Sequence, residues 1–291
     1  MQIFVRALLL SIILAFNILS VNGQRVHIGV QGGLANYSGD LLEKIYPRKI
    51  TNGHIGFSVY YEISDHLLLR GAYNFARVNG SDALNEKASL KRRNLHFESA
   101  VSEFSVAGEF HLFNLYERKF TPYIFAGLAV FHFNPYALDS LHRKIYLKPL
   151  STEGQGLYPD KKEYSLLQPS VPIGGGVKFA ITENLRIGFE IGIRKLFTDY
   201  LDDVSTSYPD YSDLLAAKGQ LAVDYSYRGD EYPGGAATFP TKDTQRGSAA
   251  EKDNYYFTGL NITFRPSFGG GGIGRGGFGR KGKFGCPTVP L

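Results

Sequence analysis

N-L-R-I-G-F-E-I-G-I-R, Asn184 to Arg194, is the stretch on which the fold turns. Leu185, Ile187, Phe189, Ile191 and Ile193 alternate with Arg186, Gly188, Glu190, Gly192 and Arg194. Successive strand residues point to opposite faces, so one face here is wholly apolar and the other is charged or glycine. In a soluble sandwich the apolar face would be the inner one. In an outer-membrane barrel it meets lipid, and the charges line the interior.

The N-terminal region favours the membrane. Arg6 precedes a nearly unbroken apolar run from Ala7 to Leu19, with Val21 and Gly23 at the −3 and −1 positions of a cleavage site. The run is short for a membrane span, so residues 1–23 read as a secretory signal. No later stretch has the length and apolarity of a membrane helix. The chain has 19 Tyr, 21 Phe and 34 Gly without a Trp. That balance suits a barrel with aromatic girdles and a tightly packed inside. The net charge of +5 is partly concentrated in Lys87–Arg93 and the C-terminal tail, where an exported protein would meet anionic headgroups or an acidic partner rather than nucleic acid.

Seven further segments share the alternation, at about 26–37, 54–64, 66–78, 98–112, 120–133, 168–181 and 254–265. The expected fold is therefore an all-β, eight-stranded antiparallel barrel over residues 24–265, followed by a flexible tail at 266–291. Connections alternate in length: tight at 63–66, 114–119 and 181–184, long at 38–53, 79–97, 134–167 and 195–253. Short periplasmic turns alternating with long external loops would leave both termini periplasmic. The strand from Thr121 to Phe133 is apolar on both faces and has no readable orientation.

The inward positions of this barrel carry Glu62, Glu103, Glu109 and Glu190 against Arg70, Lys178, Arg186 and Arg194. An eight-stranded barrel is only wide enough for side chains to fill, and unpaired buried ions are costly. A plugged interior is expected, with a proton or ion path through the charges as the functional alternative. A hydrolytic site would centre on His132, near a strand end with Ser and Glu on neighbouring strands, but no G-x-S-x-G occurs and no catalytic residue is assigned. Asp199, Asp202 and Asp203 invite calcium, yet lack EF-hand spacing and read first as a solvated loop base. No metal or cofactor is assigned. Gly174-Gly175-Gly176 lacks the Lys-Ser/Thr of a phosphate loop and reads as a bend or close packing.

After Phe264 the chain turns glycine-rich and basic, with Arg275, Arg280, Lys281 and Lys283, and ends in G-C-P-T-V-P-L. Such a segment cannot bury a core. Cys286, the sole cysteine, has no partner in its own chain; it is an idle thiol or half of an intermolecular disulfide.

Three stretches carry a family resemblance: N-Y-S-G-D-L (Asn36–Leu41), R-K-L-F-T-D-Y-L-D-D-V-S-T-S-Y (Arg194–Tyr208) and the K-F-G-C-P ending. With the barrel pattern they resemble the PorG-like outer-membrane barrels of the type IX secretion system, over the whole mature chain. The resemblance implies a non-enzymatic component that anchors a periplasmic ring, built from a PorK-like lipoprotein and a PorN-like subunit, to the outer membrane. It makes Cys286-Pro287 the candidate for a disulfide to the ring lipoprotein, with the tail's basic residues assisting. The long Gly/Arg spacer before Cys286 departs from that pattern. A small channel or transport barrel, or a lipid-modifying enzyme, are the competing readings.

Overall fold

The computed structural model describes residues 25–42 and 51–266. The signal segment, Cys286, Pro287 and the basic tail residues Arg275, Arg280, Lys281 and Lys283 lie outside the described residues.

Ten strands run in chain order: β1 (Val26–Ser38), β2 (Asn52–Glu62), β3 (Leu67–Ser81), β4 (His96–His111), β5 (Phe120–His132), β6 (Pro135–Leu138), β7 (Lys144–Tyr146), β8 (Leu167–Ala180), β9 (Leu185–Leu196) and β10 (Asn254–Phe264). Eight of them form the wall in the order β3-β2-β1-β10-β9-β8-β5-β4, and the β3–β4 pairing closes it. Every pairing is antiparallel. Closure removes the free sheet edges that a membrane core would not tolerate. The expected strands are all present, shifted by up to three residues at their ends.

Three short turns lie at one end of the barrel. Ser64 Oγ accepts from Leu67 N at 3.1 Å, Thr182 Oγ1 accepts from Leu185 N at 3.0 Å, and Thr121 Oγ1 accepts from Phe113 N at 2.8 Å. The small hydroxyl residues in these positions satisfy turn amides that have no ladder partner. β1 starts and β10 finishes at this same end, where Ile28 faces Phe264 in register.

The outer face is a continuous apolar belt. Leu128 is 73% exposed and Ile124 65%, and Ile55, Phe57, Phe104, Phe189 and Leu260 are exposed on neighbouring strands. A belt of this extent closing around the whole wall has lipid, not water, as its solvent. The protein is an outer-membrane-type β-barrel. β5 acquires its orientation here: Thr121, Tyr123, Phe125, Ala129 and Phe131 point in, while Ile124, Leu128 and Val130 point out. Its inward residues are apolar because large rings complete the interior packing.

The glycine run in β8 is close packing. Phe125 lies over the cross-strand pair Gly174–Gly192, where a Cβ would come within 2.6 Å and 2.7 Å of its ring. At Gly176 a Cβ would stand 2.9 Å from the Tyr123 ring. Only glycine lets these rings reach the wall.

The long connections are more built than loops. β6 extends β4 through the Glu98–Tyr136 and Ser99–Pro135 pairs, and β7 pairs with β6. Helices α1 (Ala88–Arg93), α2 (Tyr211–Lys218) and α3 (Gln220–Ser226) lie in the connections 79–97 and 195–253. Asp210 caps α2 by accepting from Ser212 N at 2.8 Å and Asp213 N at 3.2 Å, and Gly219, at φ 82°, separates α2 from α3. These elements form a cap over the long-loop end. The largest hydrophobic cluster joins cap residues Leu41, Leu95, Leu147, Leu201 and Val204 to barrel residues Tyr37, Phe97, Phe131 and Tyr255.

Candidate functional site

Two polar systems stand out: the charges inside the barrel and the carboxylates of the cap.

The eight inward charges all find partners, in three layers. At the short-turn end Arg186 donates to Glu62 at 2.9 Å, with Tyr116 donating to the other Glu62 oxygen at 2.6 Å. His27 stands 3.6 Å from the same carboxylate. In the middle, Arg70 donates to Glu190 at 2.5 Å and lies 3.6 Å from Glu109. Glu109 also receives Lys178 and, at 2.6 Å, the His111 ring. Nearer the cap, Glu103 takes Arg194 at 3.2 Å, Asn74 at 2.9 Å and Tyr255 at 2.6 Å. Aromatic faces complete the cations' shells: Arg70 lies 4.2 Å over Phe125, Arg194 4.1 Å over Phe257, and Lys178 4.6 Å over Tyr60 and 4.5 Å over Tyr123. Alternation placed each of these charges; the ring contacts were not readable. The interior is filled with paired charge and stacked rings.

His132 does not assemble a hydrolytic site. It projects outward from β5 across from Ser102, whereas Glu103 on β4 points into the barrel.

The cap corrects the reading of Asp199, Asp202 and Asp203 as a solvated base. All three are buried, because the chain after β9 folds inward over the barrel mouth instead of looping into solvent. They also diverge. Asp203 accepts from Thr152 Oγ1 at 2.5 Å and Tyr164 OH at 2.7 Å. Asp202 accepts from Val204 N at 2.9 Å and meets the Tyr37 hydroxyl at 2.5 Å. No group of three metal-ligating side chains converges among the described residues.

The Tyr37 hydroxyl also lies 3.0 Å from Asp253, whose other oxygen accepts from Leu201 N at 2.9 Å. A phenol has one proton to donate. If it goes to one aspartate, the other must carry a proton of its own to make a hydrogen bond. Burial pushes both carboxyls well above the usual carboxylate range, and each is driven further by neighbouring acids. Burial likewise raises Asp199 to about 7 and Asp203 to about 6, Arg246 holding Asp203 back. Tyr37 thus joins N-Y-S-G-D-L to F-T-D-Y-L-D-D-V-S-T, two of the three stretches that carry the family resemblance.

Glu153 is the second hub and was not legible in the sequence. It accepts from Ser205 N at 2.9 Å, Thr206 N at 2.9 Å, Thr206 Oγ1 at 2.6 Å and Arg246 Nη1 at 3.2 Å. Arg246 also donates to Asp203 O at 2.6 Å and Ser226 O at 3.1 Å. Arg93 grips Asp82 bidentately at 2.8 Å and 2.7 Å and donates to the carbonyls of Asp40 and Arg246. Four long connections are thereby tied into one body. Loop residues follow no period, so nothing in the sequence marks Glu153, Arg93 or Arg246 as buried.

Solved structures similar in architecture include Neisserial surface protein A, at 10% identity and TM-score 0.41, covering 82% of this chain and 96% of that one. OprG from Pseudomonas aeruginosa is similar at 10% identity and TM-score 0.40, over 83% of this chain and 97% of that one. No curated protein matches the sequence. A family model described as a domain of unknown function, DUF6089, matches residues 6–229, most of the chain, and the protein belongs to that family.

Proposed function

We propose that this barrel is a non-enzymatic outer-membrane component of the type IX protein secretion machine, holding a periplasmic ring against the membrane. The observation that carries the reading is the charge-paired interior. Four acids and four bases neutralise one another across the lumen, and rings fill the space between them. A wall with such an interior serves as an anchor rather than a conduit.

The short-turn end is then periplasmic. The three turns and the end of β10 share that side, so the turns and the tail that follows β10 would face the ring together. Tail cations (Arg275, Arg280, Lys281, Lys283) would draw an acidic surface, and Cys286, followed by Pro287, would close a disulfide with a PorK-like lipoprotein beside a PorN-like subunit. The long-loop cap is external.

Native membranes solubilised without reductant should yield a covalent adduct on non-reducing gels, absent from Cys286→Ser. An intact ring complex with no adduct lost in Cys286→Ser would sink the disulfide. Planar-bilayer recording addresses the channel reading: steady conductance would contradict the anchor. Mass spectrometry of lipid A with and without the protein addresses the enzyme reading, and an altered lipid A would overturn the non-enzymatic assignment.

A further inference from the structure

The cap contains a cavity of about 780 Å³ between the β1 end, α1 and the connection from α3 to β10. We propose that it binds an anionic sugar, a saccharide bearing phosphate or carboxylate. The volume falls within the ~300–1,000 Å³ of small-molecule sites.

Two residues supply the built-in polar groups. Arg246 is 3% exposed and Tyr208 4%, and both line the cavity. Arg246 spends Nε and Nη1 on Ser226, Glu153 and Asp203, while its Nη2 has no hydrogen-bond partner among the described residues. Nor does the Tyr208 hydroxyl have one among them. Nearly buried donors on residues that line a cavity, and that have no partner among the described residues, suit a ligand. Arg92, exposed on α1, adds a further cation to the wall.

The acids of the lining do not cancel this. Both Asp40 oxygens are engaged by Ser248 N, at 3.1 Å and 3.0 Å. Glu251 is exposed at the rim. The fixed charges behind the wall are matched, Arg93 by Asp82 and Arg246 by Glu153.

The sugar half of the assignment comes from the rings. Tyr208 and Tyr227 both line the cavity and meet edge-to-face at 5.9 Å. Phe239 holds them from outside the lining, at 5.8 Å and 6.0 Å. A fixed aromatic surface beside Gln245 and Ser89 suits a ring with an apolar face and hydroxyl edges. Among the described residues of the lining, Leu90 is the sole large aliphatic side chain, which disfavours an acyl chain.

A glycolipid headgroup and a soluble sugar phosphate share this chemistry, and two arms separate them. In one, full-length protein in detergent is titrated calorimetrically with glucosamine 1-phosphate, glucosamine and inorganic phosphate. In the other, hydrogen exchange across 226–248 is followed in nanodiscs with and without lipid A. Glucosamine 1-phosphate should bind saturably, about tenfold or more tighter than either half alone, and Arg92→Gln should weaken it about tenfold. Arg246→Lys should weaken it further with the heat-modifiable barrel band unchanged; should that variant not fold, the exposed Arg92→Gln decides. Protection by lipid A that free glucosamine 1-phosphate reverses identifies a headgroup. Binding of the free sugar with no lipid A effect identifies a soluble ligand. The proposal fails if glucosamine 1-phosphate does not bind by about 10 mM and lipid A gives no protection. It fails equally if inorganic phosphate alone matches the phosphosugar, or if the variants that fold bind like wild type.

Discussion

The barrel interior and the cap both bury charge, but they balance it differently. The interior sets four acids against four bases, layer by layer. The cap buries six carboxylates (Asp82, Glu153, Asp199, Asp202, Asp203 and Asp253) with two guanidiniums, Arg93 and Arg246. A matched interior can keep every group ionised. An acid-rich cap satisfies its carboxyls with backbone amides and hydroxyls, and burial raises Asp199, Asp202, Asp203 and Asp253 toward the protonated form. The lesson is that the first system depends on each partner being present, and the second depends on pH.

Breaking the matched system should have the largest effect. Glu109→Ala strands Lys178 and leaves Arg70 and His111 with one acid fewer, at a cost of about 3–5 kcal/mol. Heat-modified gel mobility should show a large loss of folded barrel, whereas Glu103→Gln with Arg194→Met together should cost less than either alone. Wild-type folding of Glu109→Ala would mean the pairing does not hold the barrel. Next comes Gly192→Leu, which drives a side chain into Phe125 and should cost about 1–3 kcal/mol or more by the same assay.

In the cap, Tyr37→Phe removes one hydroxyl bridging two acids and should cost about 1–2 kcal/mol. The loss should register as faster hydrogen exchange in 198–206 and around 253, with the barrel strands unchanged. Exchange that rises equally in both regions would show that cap and barrel are one cooperative unit.

The smallest and most diagnostic effect is with pH. Asp199 and Asp203 titrate near 7 and 6 in the folded cap, above the ordinary aspartate value of 3.8. The folded cap therefore binds more protons than the unfolded one between those values. The contribution of these two groups is greatest below about 4 and is lost as pH rises through about 4 to 7, and the raised Asp202 and Asp253 act in the same direction. Limited proteolysis at pH 5 and pH 8 should cut the cap faster at pH 8. Faster cutting at pH 5 would reverse the sign and remove the case for protonated cap carboxyls.

What the sequence determined by itself was the wall: strand number and lumenal charge followed from a period of two in residues such as Arg186 to Arg194, and the N-terminal signal with the alternating loop lengths turned the apolar face toward lipid. The tertiary structure decided what lacks a period. Tyr123 and Phe125 belong to a strand with no readable orientation until Gly174, Gly176 and Gly192 give them room inside. Asp199, Asp202 and Asp203 pass for solvated acids until the cap buries all three and Tyr37, Thr152 and Tyr164 reach Asp202 and Asp203 from distant segments. Burial in a loop is set by what folds over it, and that information is long-range.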